Sequence, residues 1–444
     1  MKIPEKAPDL EKIKQQPITT LTIEVVNMAR ELVRKANNEY LYWDSLKYQP
    51  MPEGITPDSA WTLLKMSRFI QARHITLTDS NGRPFSYGLP DCVLRDLHFM
   101  DQQAGGSILI DEPSVHSEEK RRYMIRSLVD EAIASSQIEG AVTTRVIAKE
   151  MLRTGRKPKD HSEQMIYNNY LSMQMIKRHL TESLSVELIQ KIHSSMTVNT
   201  LDDPSWIGRF RTPDDDEIYV FDSDGQTILH APPKAVDVPA LMQKMCDYAN
   251  SIGDDEFVNP IIKGILLHFW LAYVHPFMDG NGRTARALFY WYMLKHRYWF
   301  FEYLSVSTAI LNARAQYYRS FLYSEIDDND ATYFIVYNLK AIHKAIEELN
   351  AYIERKQKEK RHTYRFAAKY PSLNLRQRVL LASAIEKPHE VFTIETHANV
   401  HGVTYQTART DLLGLRDMGL FEMRKEGKKF IFSPVADIAR KLEA

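Results

Sequence analysis

The sequence predicts a mainly α-helical protein with one small β-hairpin and a distinct C-terminal unit of three helices and a second hairpin. Three observations predict this. Apolar residues recur at three- and four-residue spacing over Ile23–Leu32, Ala60–Ile70, Met124–Ile138, Leu188–Met196 and Thr308–Leu322, which is the helical period. Strand patterning is clearest at one place, where Glu217–Phe221 and Gln226–His230 flank the turn residues Asp222 to Gly225. A strongly charged run, Glu354–His362, then precedes a short compact unit starting near Ser372.

Composition sets the outer bounds. With 444 residues the chain exceeds one ordinary core and implies roughly two to four domains. Hydrophobic residues at 44% and aromatics at 11% exclude wholesale disorder. Lys+Arg and Asp+Glu are each 57, so no global charge points to nucleic acid or to a membrane surface. Cys92 and Cys246 stand far apart, outside metal-ligand spacing, and argue against a disulfide framework. The N-terminus lacks the apolar stretch of a signal peptide, and Ile261–Val274 is too short to span a bilayer. The expectation is a cytoplasmic chain without membrane contact.

Turn signals at Asp79–Gly82 and Gly105-Gly106 punctuate the first part of the chain, and Tyr40 to Trp43 reads as core. The richest chemistry lies further on. Asn259 is an N-cap and Pro260 a first helical residue, followed by Ile261, Ile262, Ile265, Leu266, Phe269, Trp270 and Tyr273 on a broad apolar face. Pro276 disfavours the helical conformation at His275, so this helix ends there. Asp279-Gly280-Asn281-Gly282 is turn chemistry, and a second apolar helix starts at Arg283. A tight glycine loop at a helix N-terminus binds anions through its free N–H groups. Arg283 and Arg286 share a face and reach one polyphosphate. Asp279 offers the single carboxylate that usually holds a phosphate-bound Mg²⁺, and His275 is placed as general base. Together these groups point to phosphoryl or nucleotidyl transfer.

The string His275-Pro276-Phe277-Met278-Asp279-Gly280-Asn281-Gly282-Arg283-Thr284-Ala285-Arg286 resembles the Fic family motif His-x-Phe-x-(Asp/Glu)-Gly-Asn-Gly-Arg-x-x-Arg at every fixed position. The resemblance implies a Fic-type helical bundle and a protein adenylyltransferase. In that family the His takes the proton of a Ser, Thr or Tyr hydroxyl on a target protein. The hydroxyl then attacks the α-phosphate of ATP, giving AMP-protein and pyrophosphate. The resemblance places Mg²⁺ on Asp279, and phosphates on Gly280, Asn281, Gly282, Arg283 and Arg286, with Phe277 in the nucleotide-binding string. Both glycines around Asn281 are intact, which favours AMP over phosphate transfer.

Upstream, Ser135 and Glu139 share one face of a helix that Gly140 would terminate. A Glu beside the negative end of a helix dipole is a misfit that points to a cationic partner. The segment resembles the family's inhibitory pattern, (Ser/Thr)-x-x-x-Glu-(Gly/Asn). By that resemblance Glu139 pairs with Arg286, competes with the γ-phosphate, and restrains the enzyme within its own chain; in some relatives the same Glu supports AMP removal. Arg209–Pro213, the 217–230 hairpin and Ala231 to Pro233 resemble the family's flap. Ile218, Val220 and Ile228 would clamp an extended target segment there. Tyr317 and Tyr318 stand on a segment that resembles the adenine-side helix.

From Leu375 a short helix, a second over Thr393–Val400, a turn at His401-Gly402, a helix from Thr404 to Leu415 and a hairpin over Phe421–Phe432 resemble a winged helix-turn-helix domain. Gln406, Thr407 and Arg409 would face a DNA groove, with Arg424, Lys425, Lys428 and Lys429 on the wing. An excess of two basic residues in this unit is modest for a DNA binder, so a protein partner stands as the alternative. The organisation expected is thus 1–87 without assigned role, 88–183 carrying the inhibitory motif, 184–350 as catalytic core with its flap at 209–233, a charged linker over 351–371, and the winged unit over 372–444. Partners implied are ATP, a protein with an exposed hydroxyl, and DNA or a protein at the C-terminal unit; a homodimer is open to the chain. A DNA-binding regulator with a nucleotide-sensing core and an AMP-removing hydrolase are the alternative functions.

Overall fold

The structure is a computed structural model that describes residues 3–8, 23–103, 117–222, 225–251, 257–368, 372–386, 391–426, 429–436 and 438. The Gly105-Gly106 turn and Lys428 lie outside them. The chain divides into two compact units, Met1–Leu349 and Asn350–Ala444.

In the first unit the described elements run α1 (Ile23–Glu39), α2 (Pro57–Gln71), β1 (Arg73–Thr78), β2 (Pro84–Tyr87), α3 (Asp91–Gln102), α4 (Ser117–Ile138), α5 (Arg145–Thr154), α6 (His161–Ile176) and α7 (Val186–Thr197). Next come β3 (Val220–Phe221), β4 (Ile228–His230), α8 (Val238–Asn250), α9 (Pro260–Val274), α10 (Asn281–Lys295), α11 (Val306–Asn312), α12 (Arg314–Ile326) and α13 (Thr332–Ala368), the last running on past Leu349. Short one-turn helices fill several connections.

Helices α9 and α10 form the centre. Both are buried on nearly all sides, as helices apolar all round must be. Asn259 caps α9 by accepting from Ile261 N at 2.9 Å, and Pro260 sits at its first turn. Phe85 of β2 packs edge-on against Phe269, Trp270 and Tyr273 of α9, so the small N-terminal hairpin is fixed to the central helix. Residues 23–87 belong to the same body. Tyr40 donates to Asp330 at 2.6 Å, and Arg68 donates to Tyr333 at 2.7 Å with its guanidinium 3.8 Å over the Tyr40 ring.

Three expectations need correction. The periodic stretch Thr308–Leu322 is two helices, broken at Ala313 (φ −133°, ψ 38°). Ala313 O accepts from Gln316 N, Tyr317 N and the Tyr337 hydroxyl, which starts the second helix without any Gly or Pro to signal it. The flap hairpin is shorter than expected: only Val220↔His230 and Phe221↔Ile228 pair, with a register shift between them. The segment expected as a linker is helical to Ala368, because Glu, Lys, Arg, Gln and Ala are strong helix formers.

The second unit contains α14 (Leu375–Glu386), β5 (Phe392–Thr393), α15 (Ile394–His401), α16 (Tyr405–Asp417), β6 (Phe421–Glu426) and β7 (Lys429–Pro434). The strands form an antiparallel sheet in the order β5-β7-β6. Thr393 and Thr404 cap α15 and α16 through Thr396 N and Thr407 N. Leu381, Ala384, Leu412, Leu415, Phe421 and Phe432 fill a core of its own. Among the described residues no helix is long and apolar enough to cross a membrane.

Candidate active site

Helix α9 ends where Pro276 requires, and its last carbonyls are followed by His275 in the left-handed conformation (φ 49°). For a non-glycine residue this costs about 1 kcal/mol and must be held from outside. His275 Nδ1–H donates to Ala272 O at 3.2 Å, which leaves Nε2 as the nitrogen with a lone pair. The ring is half-buried. Its pKa is pushed down to about 4, first by burial and then by the charges of His230 and Arg211; the Ala272 bond and Glu139 pull the other way. His275 is therefore a neutral base at physiological pH.

The loop after His275 is held from within and from α7. Asn281 accepts from Phe277 N at 2.9 Å and donates to Phe277 O at 2.7 Å. Phe277 is fully buried, stacked on His193 at 3.7 Å. The side chains of Asn281 and Phe277, expected among the nucleotide contacts, shape the loop. His193 was not singled out by the sequence. Its Nε2–H donates to Asp279 O at 2.9 Å and its Nδ1 accepts from Gly208 N at 3.0 Å, joining the loop to the segment that leads into the flap. Burial pushes its pKa down to about 4, which suits one donor and one acceptor on the ring. Gly280 has φ 82°, and a Cβ there would stand 2.6 Å from Thr197 Cγ2, so only glycine lets the loop lie against α7.

The two motif arginines do different things. Arg283 is buried, donating to Met196 O at 3.1 Å and to the Asp279 carboxylate at 3.2 Å. Arg286 is gripped by α4: Nε donates to Ser135 Oγ at 2.9 Å, Nη2 to Ser135 O at 2.8 Å, and Nη2 pairs with Glu139 Oε1 at 2.9 Å. The ion pair expected from the resemblance is thus present. Gly140, with φ 97°, ends the helix turn that carries Glu139. The Glu139 carboxylate lies against the backbone at the start of α10; a Cβ on Gly282 would stand 2.2 Å from its Oε1. It therefore occupies the anion-favouring N-terminus of α10.

Two turns further along α4, Glu131 is completely buried. It accepts from Tyr290 OH at 2.9 Å, Ser307 N at 2.9 Å, Ser305 Oγ at 3.2 Å and the Ser307 hydroxyl. Burial pushes its pKa up against these donors. Residues 131, 135 and 139 thus meet 290, 286 and 282 of α10, one polar rung per turn on antiparallel helices.

Asp279 is the metal-ligand expectation. Its side chain is 58% exposed. Among the described residues no group of three or more His, Cys, Asp or Glu could hold a metal by themselves. A lone exposed carboxylate beside an anion site fits a Mg²⁺ that takes its other ligands from phosphate and water. Tyr317, expected on the adenine side, is buried with its hydroxyl 2.9 Å from His268 Nε2 and its ring edge-on to Phe321. Tyr318 is half-buried against Arg314. On the flap, Ile228 is exposed and paired in the hairpin, Val220 is half-buried, and Ile218 stands outside the paired residues.

Comparison with known proteins agrees with this layout. Residues 183–293 match the model of the Fic/DOC family. A protein adenylyltransferase Fic of Nematostella vectensis is 30% identical over 172 residues, 38% of this chain and 37% of that one. The Drosophila willistoni protein of the same name is 31% identical over 158 residues, 34% of this chain and 29% of that one. The chain thus spans about a third of the length of these curated relatives. A Fic family protein from Desulfovibrio desulfuricans superposes with a TM-score of 0.51 at 18% identity, covering 77% of this chain and 95% of that one. A variant of Fic-1 from C. elegans gives 0.51 at 20% identity, covering 76% and 86%. The mainly helical body built around His275 and the glycine loop has the Fic fold.

Proposed function

We propose that this chain is a protein adenylyltransferase that moves AMP from ATP to a hydroxyl of a target protein or of itself, and that Glu139 restrains it. The observation that carries the reading is the neutral His275, with Nε2 unprotonated, at the mouth of an anion site whose second arginine is already bonded to a carboxylate. The names of the curated relatives support the same activity.

His275 Nε2 accepts the hydroxyl proton as the oxygen attacks the α-phosphorus of ATP. The new O–P bond forms as the α,β-bridging P–O bond breaks, and pyrophosphate leaves with that electron pair. The amides at the start of α10 and Arg286, once released by Glu139, bind the polyphosphate. Asp279 would hold Mg²⁺, which would neutralise phosphate charge. Arg283 orients Asp279 and acts on phosphate only if that pair opens. The exposed Ile228 and its hairpin present an edge on which an extended target segment can register. Free thiols at Cys92 and Cys246 suit a reducing, cytoplasmic setting.

The test uses α-labelled ATP with Mg²⁺ and cell lysate on wild type, Glu139→Gly and Glu139→Gly/His275→Ala. Label should appear with the first variant and vanish with the second. No label from any of them would sink the reading and direct attention to AMP removal.

A second reading concerns the C-terminal unit. Gln406 and Arg409 are exposed on α16 with Thr407 half-exposed beside them, and Arg424 and Lys425 are exposed on β6. These support a winged helix-turn-helix that binds DNA. Duplex binding that weakens steeply with salt and is lost in Arg409→Ala is the expected result; a flat salt response would favour a protein partner instead.

A further inference from the structure

The carbonyls at the C-terminus of α9 lie directly before the base, and residues of the flap region cover them with two cationic side chains. Arg211 is buried; its Nε donates to His275 O at 2.9 Å, and Nη2 donates to Val274 O at 3.1 Å and to Pro233 O. Its backbone N–H donates to Pro276 O at 2.8 Å. His230, the last residue of β4, places Nε2 2.7 Å from Tyr273 O and Nδ1 2.7 Å from Glu325 Oε2 on α12. Both partners are acceptors. A neutral imidazole facing an ionised carboxylate would leave one of these contacts without a hydrogen, so the ring carries a proton on each nitrogen.

We propose that Arg211 and His230 are the positioning residues of His275: by capping the carbonyls of Tyr273, Val274 and His275 they hold the base in its left-handed conformation. The claim rests on His275 being the base of the proposed transfer. Three carbonyls at the negative end of a helix are a natural seat for cations. The three bonds to the α9 carbonyls land within two residues of the one strained residue in the loop, and Arg211 grips the carbonyl of that residue itself. The charged groups that act on His275 are His230, Arg211 and Glu139. The two cations disfavour imidazolium; Glu139 favours it, so relief of inhibition and a more reliably neutral base come together. The flap thereby does more than dock a target, because its two ends also set the state of the general base.

The test follows His275 by NMR of the full chain with ¹³C-labelled histidine, its signal assigned by loss in His275→Ala, without nucleotide. In Arg211→Met the titration midpoint of His275 should rise by about one pH unit, while Arg211→Lys, which keeps the charge, should leave it low. His230→Gln, which keeps a donor to Tyr273 O but loses the charge, should raise it as well. In the Glu139→Gly background, the acid limb of label transfer by Arg211→Met should move up by about one pH unit with the midpoint, so that it loses about half its activity near pH 5, where the parent keeps most of its own. An unchanged midpoint and unchanged pH profile in folded Arg211→Met and His230→Gln would overturn the proposal. If Arg211→Met fails to fold, His230→Gln and Arg211→Lys decide alone. Absence of label in the Glu139→Gly parent would sink the transfer reading, whereas the midpoint still decides whether the two cations position His275.

Discussion

Glu139 Oε1 lies 2.9 Å from Arg286 Nη2 and at the same time against the backbone of Gly282, so one carboxylate holds both the guanidinium and the helix N-terminus that a polyphosphate needs. On the proposed reading such a pair would compete with a nucleotide for the same donors rather than block a distant step. A charge-assisted hydrogen bond contributes about 1.5–3 kcal/mol. Glu139→Gly should therefore raise ATP-dependent labelling by roughly ten- to hundredfold. Glu139→Gln, which keeps the shape but loses the charge, should fall between. Equal labelling by all three forms would remove Glu139 as the brake.

Glu131 anchors the same helix two turns away. Its four donors lie on α10, on Ser305 just before α11 and on Ser307 in its first turn, and none belongs to the loop. Glu131→Ala would leave Tyr290 OH and Ser307 N without their buried acceptor and should cost about 2–4 kcal/mol. It should also loosen the inhibitory segment, so labelling rises while Glu139 is intact. Glu131→Gln should lose less stability. Denaturant unfolding alongside labelling separates the two effects; a large stability loss with unchanged labelling would show that the anchor serves folding alone.

The parts of this site that were legible in the sequence are local in the chain. The end of α9 at His275 follows from Pro276, the loop from its glycines, and the partner of Glu139 from two short motifs. The parts that escaped are made by residues far apart. His193 reaches Asp279 across 86 positions, Arg211 reaches His275 across 64, and His230 reaches Glu325 across 95. A His on the apolar face of α7 and an Arg at the start of the flap carry no periodic or motif signal of such contacts. The same limit explains the fold. Strong periodicity marked the long helices, but the break at Ala313 is fixed by acceptor geometry, with no breaker residue. The motif names Phe277 and Asn281 as a string, but gives no sign that the Asn281 amide closes on the Phe277 backbone and that the Phe277 ring stacks on His193.

Two buried histidines and the half-buried His275 give the protein a defined acid sensitivity. Burial pushes His193 and His275 down to about 4 and His268 down to about 3. Unfolded, each binds its proton near pH 6.5. Between that pH and about 4 the unfolded chain holds more protons, so stability is full above 6.5 and falls as pH drops through this window. His230 has its pKa raised, chiefly by Glu325 against the effect of burial, and so works in the opposite sense, its contribution present below 6.5 and lost as pH rises. The net loss on acidification should be on the order of a few kcal/mol. The melting temperature should fall from pH 7.5 to pH 5, and His268→Gln should make that fall shallower. A flat profile would mean that these rings are not neutral in the folded state.

The C-terminal unit hangs on one carboxylate. Asp411 of α16 is buried and accepts from Arg376 Nε at 2.7 Å, Asn374 Nδ2 at 2.7 Å and His397 Nε2 at 3.3 Å. Burial alone would raise its pKa; the three donors outweigh burial and hold it below the usual carboxylate range. It thereby joins the start of α14 and helix α15 to α16, around a small core that cannot spare a cross-link. Asp411→Ala would leave the buried His397 ring and the Arg376 guanidinium without their acceptor, a loss of about 3 kcal/mol. Hydrogen exchange should show amides across 375–434 losing protection by about a hundredfold, while those of α9 and α10 keep theirs. If only the few amides beside Asp411 respond, the unit does not depend on this hub, and its stability rests on the apolar packing of Leu412, Leu415 and Phe432 alone.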